Sequence, residues 1–333
     1  MDRGWPLTGR GEELRILEVA IRGSKAGQGA VLAGPAGVGK TRIAREALTA
    51  ARRRGMSAKW VTATASARQL PLGALAPLLG PLGGEPVDLL HRATDILLSG
   101  GARRGCLLVV DDAHLLDELS ATLVHQLAVQ RTAVVVLTIR SGVPAPDAIT
   151  ALWKDEHVLR LDVEPLSEED TLTLLEAVLG GQVGRRSAGR LWALTRGNAL
   201  FLRHLVEGEL EAGRLRAVAG VWTWSGEPAM APGLVELVAA RMGRLSEPVG
   251  QVVDLLALGE PLGHRLLVGR VGPEAVEEAE SAGLVEVAWE GARLEARLAH
   301  PLYGEARRKA MGLARARRLH GRLATVLAAT GYR

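Results

Sequence analysis

The chain has 333 residues, 47% of them apolar and 23% charged, with 41 lysines and arginines against 37 acids for a formal net charge of +4. That is ordinary globular material, long enough for two or three domains with real cores, and so mild a charge does not by itself argue for nucleic acid. The single cysteine, Cys106, excludes an internal disulfide, and neither the opening Met1-Asp2-Arg3-Gly4-Trp5-Pro6 nor the longest uncharged run, Gln69 to Gly84 with its three prolines, suits a signal peptide or a bilayer span. A cytoplasmic protein with no membrane partner is expected.

Ala30–Ala33 is the first predicted strand, and the strongest signal in the chain follows it. Gly34-Pro35-Ala36-Gly37-Val38-Gly39-Lys40-Thr41 has the spacing G-x-x-x-x-G-K-T between an apolar strand and a helical pattern, which is P-loop grammar. The glycines let consecutive backbone N–H groups point at one anion, and the next helix adds the positive end of its dipole. Lys40 is expected to reach the β- and γ-phosphates of ATP, and the Thr41 hydroxyl to hold Mg²⁺. Gly34, Pro35, Ala36, Gly37, Val38, Gly39, Lys40, Thr41 and Arg42 form the expected nucleotide-binding stretch.

A second strand is predicted at Ala58–Thr62. The stretch Pro71–Gly84, apolar but interrupted by Pro71, Pro77 and Pro81, reads as short helical turns packed on a sheet, and Asp88–Ser99 reads as a helix. Cys106-Leu107-Leu108-Val109-Val110-Asp111-Asp112 then reads as a strand, Leu107–Asp111, buried on both faces and ending in acids. Acids there sit where open α/β sheets bind ligands. Asp111 is expected to hold Mg²⁺, directly or through water, and Asp112 to orient or deprotonate the attacking water. Asp112 is one methylene shorter than a glutamate, so slow turnover is expected, which suits a switch better than a motor. Strands at Ala133–Thr138 and His157–Leu161 complete a parallel α/β sheet flanked by helices.

After Pro165 the composition turns helical. Ser167-Glu168-Glu169-Asp170 is an N-cap signal, Leu172, Leu175, Val178 and Leu179 follow at helical spacing, and Gly180-Gly181 stops the helix. Further helix is predicted at Leu191–Leu194 and Leu200–Leu210, with a hairpin between Leu215–Val218 and Val221–Ser225. Helices at Gly233–Leu245, Pro248–Leu258 and Pro273–Ala282, then alternating segments Leu284–Trp289 and Ala292–Leu298, have the order of a winged helix. One arginine-rich helix is predicted from Glu305 to Ala329. The expected domains are a P-loop nucleotide-binding domain over 1–165, a helical lid over 166–228, a winged helix over 229–303 and the arginine-rich helix over 304–333.

Six segments carry a further signal together: Leu7-Thr8-Gly9-Arg10-Gly11-Glu12-Glu13-Leu14, Gly34 to Thr41, Leu107 to His114, Leu137-Thr138-Ile139-Arg140, Thr195 to Leu202, and Leu298-Ala299-His300-Pro301-Leu302-Tyr303. As a set they resemble the ATPase module of large LuxR-type bacterial transcriptional regulators, which are signal-transduction ATPases with numerous domains, a regulatory branch near the AAA+ proteins. The resemblance implies that Gly9 and Arg10 lie near the adenine. It implies that Arg140 is a sensor near the γ-phosphate, where the residues alone read as a strand-end arginine. Asn198 falls in the family's glycine-x-proline motif, but Ala199 replaces the proline that packs on the base, which implies a looser base pocket. His300 is implied to touch the β-phosphate of ADP and hold a closed state. Read from the residues alone, Asn198 is a helix N-terminus and His300 a satisfied structural histidine.

The family continues into a helical-repeat array and a DNA-binding helix-turn-helix. Those regions, or another protein, are the implied partners, with ATP-dependent self-association as a further expectation; the chain is expected to be truncated, or the remainder left out. Arg307, Arg308, Lys309, Arg315, Arg317, Arg318 and Arg322 are read as a solvated or partner-facing helix in preference to a DNA contact. The preferred function is an ATP-binding, slowly hydrolysing, Mg²⁺-dependent regulatory switch with ATP and ADP as its ligands and Lys40, Asp112 and Arg140 as its catalytic set. The alternatives are an AAA+-like loader ATPase that binds DNA and a nucleotide-binding scaffold without hydrolysis.

Overall fold

The computed structural model describes residues 4–22, 29–80, 85–99 and 105–330, which fall into two units, Met1–Leu166 and Ser167–Arg333. In chain order the first holds α1 (Gly11–Arg22), β1 (Ala30–Gly34), α2 (Lys40–Arg53), β2 (Ser57–Thr62), α3 (Ala76–Leu79), α4 (Pro86–Leu98), β3 (Cys106–Asp111), α5 (Glu118–Val129), β4 (Val134–Arg140), α6 (Asp147–Lys154) and β5 (Leu159–Asp162). The five strands are the five read from the sequence, all parallel, in the order β2-β3-β4-β1-β5.

Alternation along the strands sorts the core into two layers. Val31, Leu108, Val110, Val135 and Leu137 face a cluster built with Ala93 and Leu97 of α4, Leu123 and Leu127 of α5, and Ile149 and Leu152 of α6. Ala30, Leu32, Leu107, Val109 and Val136 face Leu17 and Ile21 of α1 and Ile43, Ala44 and Ala47 of α2. A strand covered on both faces needs an apolar residue at every position, which is why β3 carries no polar side chain before its terminal acid. The proline-broken stretch joins the first layer through Leu72, Ala74, Leu75 and Leu79. It forms short turns with α3, as expected, although residues 81–84 lie outside the described residues. Asp117 caps α5 by accepting from Ser120 N and also accepts from Leu72 N at 3.1 Å, which ties this stretch to α5.

The second unit starts with α7 (Glu168–Leu179), α8 (Arg185–Thr195) and α9 (Ala199–Glu211). The Ser167 cap read from the sequence is made, with Oγ accepting from Asp170 N at 3.0 Å, and Gly180 ends α7 in the left-handed region. The hairpin pairs β6 (Leu215–Val218) with β7 (Val221–Trp224). There follow α10 (Pro232–Met242), α11 (Glu247–Gly259), β8 (Leu262–Gly263), α12 (His264–Val271), α13 (Pro273–Ser281), β9 (Val285–Glu290), β10 (Arg293–Leu298), α14 (Pro301–Ala310) and α15 (Leu313–Thr330). The strands β8, β9 and β10 form an antiparallel sheet in the order β8-β10-β9. β8 and α12 are not among the elements expected from the sequence: at two and eight residues they are too short to announce a period.

The arginine-rich segment is corrected. It is two helices, broken where Met311 is extended ahead of Gly312, a poor helix former. Three of its cations are tied to α11, with Arg308 and Arg315 still exposed. Arg307 pairs with the buried Asp254 of α11 at 2.6 Å, Arg315 pairs with the same carboxylate at 2.7 Å, and Arg308 donates to the Ala257 carbonyl.

Glu209 of α9 is fully buried and joins three elements. Its carboxylate accepts from Arg214 Nε at 2.9 Å, from Trp224 Nε1 at 2.8 Å and from Ala229 N. Glu209→Ala leaves two buried neutral donors without partners, at about 1–3 kcal/mol each. Urea unfolding followed by tryptophan fluorescence is expected to show a loss of about 3 kcal/mol in that variant and a smaller loss in Glu209→Gln; a loss below about 0.5 kcal/mol, the level of an ordinary surface substitution, would contradict this role.

Candidate nucleotide site

β1 delivers the chain to Gly34, and α2 takes over at Lys40. Between them Gly37 (φ 85°) and Gly39 (φ 108°) occupy the left-handed region that other residues avoid. A Cβ at Gly34 would collide with the Val163 carbonyl oxygen. The buried Lys40 ammonium lies over the turn and donates to the carbonyls of Gly34 at 2.8 Å and Pro35 at 2.7 Å. A phosphate would offer this cation charged acceptors in place of neutral ones.

Asp111 closes β3 at the edge of the sheet nearest this turn, and it is buried. The hydroxyls of Thr41 and Thr138 both donate to its Oδ1, at 2.9 Å and 2.7 Å. The same Thr138 oxygen accepts the Asp112 N–H at 2.8 Å. Thr138 lies on β4, which sits between β1 and β3, so one hydroxyl fixes both acids. In the sequence Thr138 is one residue of the segment that ends at Arg140, with nothing to mark this role. A hydroxyl and a carboxylate side by side are the hard oxygen donors that Mg²⁺ takes, usually completed by water and substrate phosphates. The residues present therefore fit Mg²⁺ and a triphosphate.

Asp112 is held at φ 56° and ψ 43°, a left-handed conformation that aspartate tolerates better than most residues. Its carboxylate is half-exposed, with Oδ1 4.0 Å from Nδ1 of His114. Burial pushes the His114 pKa down; Asp112 pulls it up, and Arg140, Lys40 and Arg68 push it further down. Arg140 ends β4 in register with Gly34, and Ser141 N donates to the Gly34 carbonyl at 3.2 Å. The arginine thus stands at the start of the P-loop.

Arg10 does something the sequence did not announce. Its guanidinium is buried and donates to the carbonyls of Val38 in the P-loop at 3.1 Å and Glu164 at 2.6 Å, while pairing with Glu13 at 3.0 Å. It clamps the back of the loop to the segment that leaves β5. Gly9 precedes it at φ 71°. Arg42 donates to the Trp5 carbonyl at 2.8 Å, so it too anchors the N-terminal segment.

In the second unit the structure brings together two motifs that lie about a hundred residues apart. Asn198 caps α9 by accepting from Phe201 N at 3.2 Å. His300 caps α14: its Nδ1 accepts from Leu302 N at 3.2 Å, and its Nε2–H donates to the Thr195 carbonyl at 3.2 Å. The ring packs edge-on against Phe201 and tilted against Tyr303. Burial pushes its pKa down to about 4, against the pull of the Thr195 bond and with further push from Arg196 and Arg241. An unfolded histidine titrates near 6.5. The unfolded chain therefore binds the extra proton between those values, so this group's stabilisation is complete above about pH 6.5 and is lost as pH falls towards about 4. His300→Asn keeps a cap acceptor but cannot titrate. Its unfolding midpoint is expected to fall less than that of wild type over this window, and parallel curves for the two proteins would contradict the assignment.

Residues 6–139 match the family profile described as an AAA ATPase domain. Among solved structures, the Orc1 protein of Aeropyrum pernix in complex with DNA is similar over 95% of this chain and 96% of that chain, at 18% identity and a TM-score of 0.51. RuvB of Thermotoga maritima matches over 86% of this chain and 92% of its own at 14% identity and a TM-score of 0.45, and domain III of the Thermotoga maritima replication initiation protein DnaA matches over 63% and 87% at 13% identity and 0.44. No curated protein matches the chain. At these identities the Orc1 likeness speaks for the fold alone, an α/β fold with a five-stranded parallel sheet flanked by helices.

Proposed function

We propose that the chain binds Mg·ATP at the P-loop, hydrolyses it slowly and serves as the ATPase module of a transcriptional regulator operated by nucleotide state. The observation that carries this reading is the meeting of Thr41 and Asp111 at 2.9 Å beside a lysine folded over the P-loop. Thr41 and Asp111 would hold Mg²⁺, which supplies charge neutralisation on the phosphates when bound. Lys40 binds the β- and γ-phosphate oxygens. Asp112, half-exposed beside this pair, orients the attacking water, and Arg140 stabilises charge on the γ-phosphate. Gly9 and Arg10 set the adenine end, with Arg10 acting through the Val38 carbonyl it holds.

The regulatory part of the proposal rests on the LuxR-type motif set and on the order of elements in the second unit. α7 to α9 with their hairpin fit a helical lid over 166–228. The succession α11, β8, α12, α13, β9, β10 with sheet order β8-β10-β9 fits a winged helix over 229–303. His300 joins these two parts through Thr195 and Phe201. A contact from His300 to the β-phosphate of ADP would exchange the Thr195 carbonyl for a charged acceptor, and that exchange is the proposed switch.

The loader reading is supported by the exposed Lys309, Arg317, Arg318 and Arg322 on α14 and α15, and by the Orc1 neighbour seen with DNA. It is weakened by the engagement of Arg307, Arg308 and Arg315 with α11. Steeply salt-dependent binding to random duplex DNA would favour it.

Mg·ATP at about a hundred times its dissociation constant is expected to stabilise the wild type by roughly 2.7 kcal/mol, and the corresponding melting shift to vanish in Lys40→Ala. An equal shift in both proteins would remove the P-loop assignment. Asp112→Asn is expected to keep ATP affinity and to lower turnover by about tenfold or more, the range of a lost water-positioning group. Unchanged hydrolysis would take Asp112 off the catalytic list, and no hydrolysis in the wild type would leave a binding scaffold.

A further inference from the structure

One buried polar atom beside the site has no hydrogen-bond partner among the described residues. His114 lies in the single turn Ala113–Leu115 after β3 and is 5% exposed, and the atom is its buried Nδ1. Buried ring nitrogens are nearly always satisfied, so an orphan asks for an explanation. The group facing it is the carboxylate of Asp112, whose Oδ1 stands 4.0 Å away. That is beyond hydrogen-bond range but within reach of a change in side-chain rotamer. The backbone of Asp112 is already fixed by Thr138. Its half-exposed side chain is the part still free to turn.

The surroundings keep the imidazole neutral. Burial disfavours its cation, and Lys40, Arg140 and Arg68 all face it with positive charge, against the single opposing charge of Asp112. A neutral ring has one proton to place, and on Nδ1 that proton has Asp112 as its acceptor.

We propose that His114 is a positioning residue for hydrolysis: with nucleotide bound, its Nδ1–H donates to Oδ1 of Asp112 and leaves the second carboxylate oxygen aimed at the attacking water. The imidazole gives a hydrogen bond and keeps its proton. This inference rests on the ATPase reading above.

The test compares His114→Leu with His114→Asn, since an asparagine amide can place a donor where Nδ1 stood. His114→Leu is expected to lower kcat about tenfold while the dissociation constant for Mg·ATP changes less than about threefold, and His114→Asn to recover most of the rate. In an Asp112→Ala background His114→Leu is expected to cost nothing more, because the two residues act as one unit. Independently of turnover, nitrogen-15 spectra of histidine-labelled protein with Mg²⁺ and a non-hydrolysable ATP analogue are expected to show a protonated Nδ1 on His114 whose resonance moves in Asp112→Ala. An Asn variant as slow as the Leu variant, an additive double mutant or an unprotonated Nδ1 would each overturn the proposal. A wild type that binds nucleotide without hydrolysing it overturns the ATPase reading instead, and the Nδ1 resonance then decides the His114–Asp112 bond alone.

Discussion

A carboxylate buried at the end of a wholly apolar strand is the constraint on which the first unit turns. The carboxylate of Asp111, buried there, needs hydrogen-bond partners. Its partners come from two other elements: Thr41 from the first turn of α2, and Thr138 from the end of β4. Thr138 can reach it because β4 is threaded between β1 and β3. The strand order is thus tied to a local electrostatic need. The same hydroxyl orients the Asp112 backbone, so the acid proposed to hold metal and the acid proposed to position water share one support.

The P-loop is held by a comparable device from behind. Lys40 is held by the Gly34 and Pro35 carbonyls, and Arg10 holds Val38. Because Arg10 also holds Glu164, the loop, the N-terminal segment and the chain leaving β5 are joined through a single buried guanidinium. A buried arginine with three acceptors has little freedom to reach elsewhere. Its influence on a nucleotide would be exerted through the loop backbone.

Much of this was legible in the residues, for identifiable reasons. The three inner strands, β1, β3 and β4, stood out because burial on both faces demands uninterrupted apolar runs, and the P-loop because its glycines and lysine have fixed spacing. Thr138 did not stand out, and Arg10 did so only through the family motif, as a residue near the adenine. A threonine inside a β-branched strand looks like strand propensity, and the hold of Arg10 on Val38 and Glu164 joins segments distant in sequence; both roles depend on which segment lies next to which. His114 likewise read as part of a motif, while its orphaned nitrogen is visible only in three dimensions.

The second unit shows the same limit more strongly. Its arginine richness suggested an outward basic surface, yet Arg307 and Arg315 share the buried Asp254, and Arg308 meets a carbonyl of α11. Glu209, in a segment with no motif, joins α9 to the hairpin and to the approach of α10. Such polar junctions bring together residues that are distant in sequence, and neither composition nor period records them. The helix break at Met311-Gly312 was missed because arginine runs favour helix on both sides of it.

The most direct measurement of the central claim, that Thr41 and Asp111 form a prepared metal-nucleotide site, is the magnesium dependence of ATP affinity in wild type and in Thr41→Ala. Removing Mg²⁺ should weaken ATP binding to the wild type by about tenfold or more, as loss of a charge-neutralising ion requires, and should change little in the variant, which lacks the hydroxyl. An equal magnesium effect in the two proteins, or none in the wild type, would contradict the account.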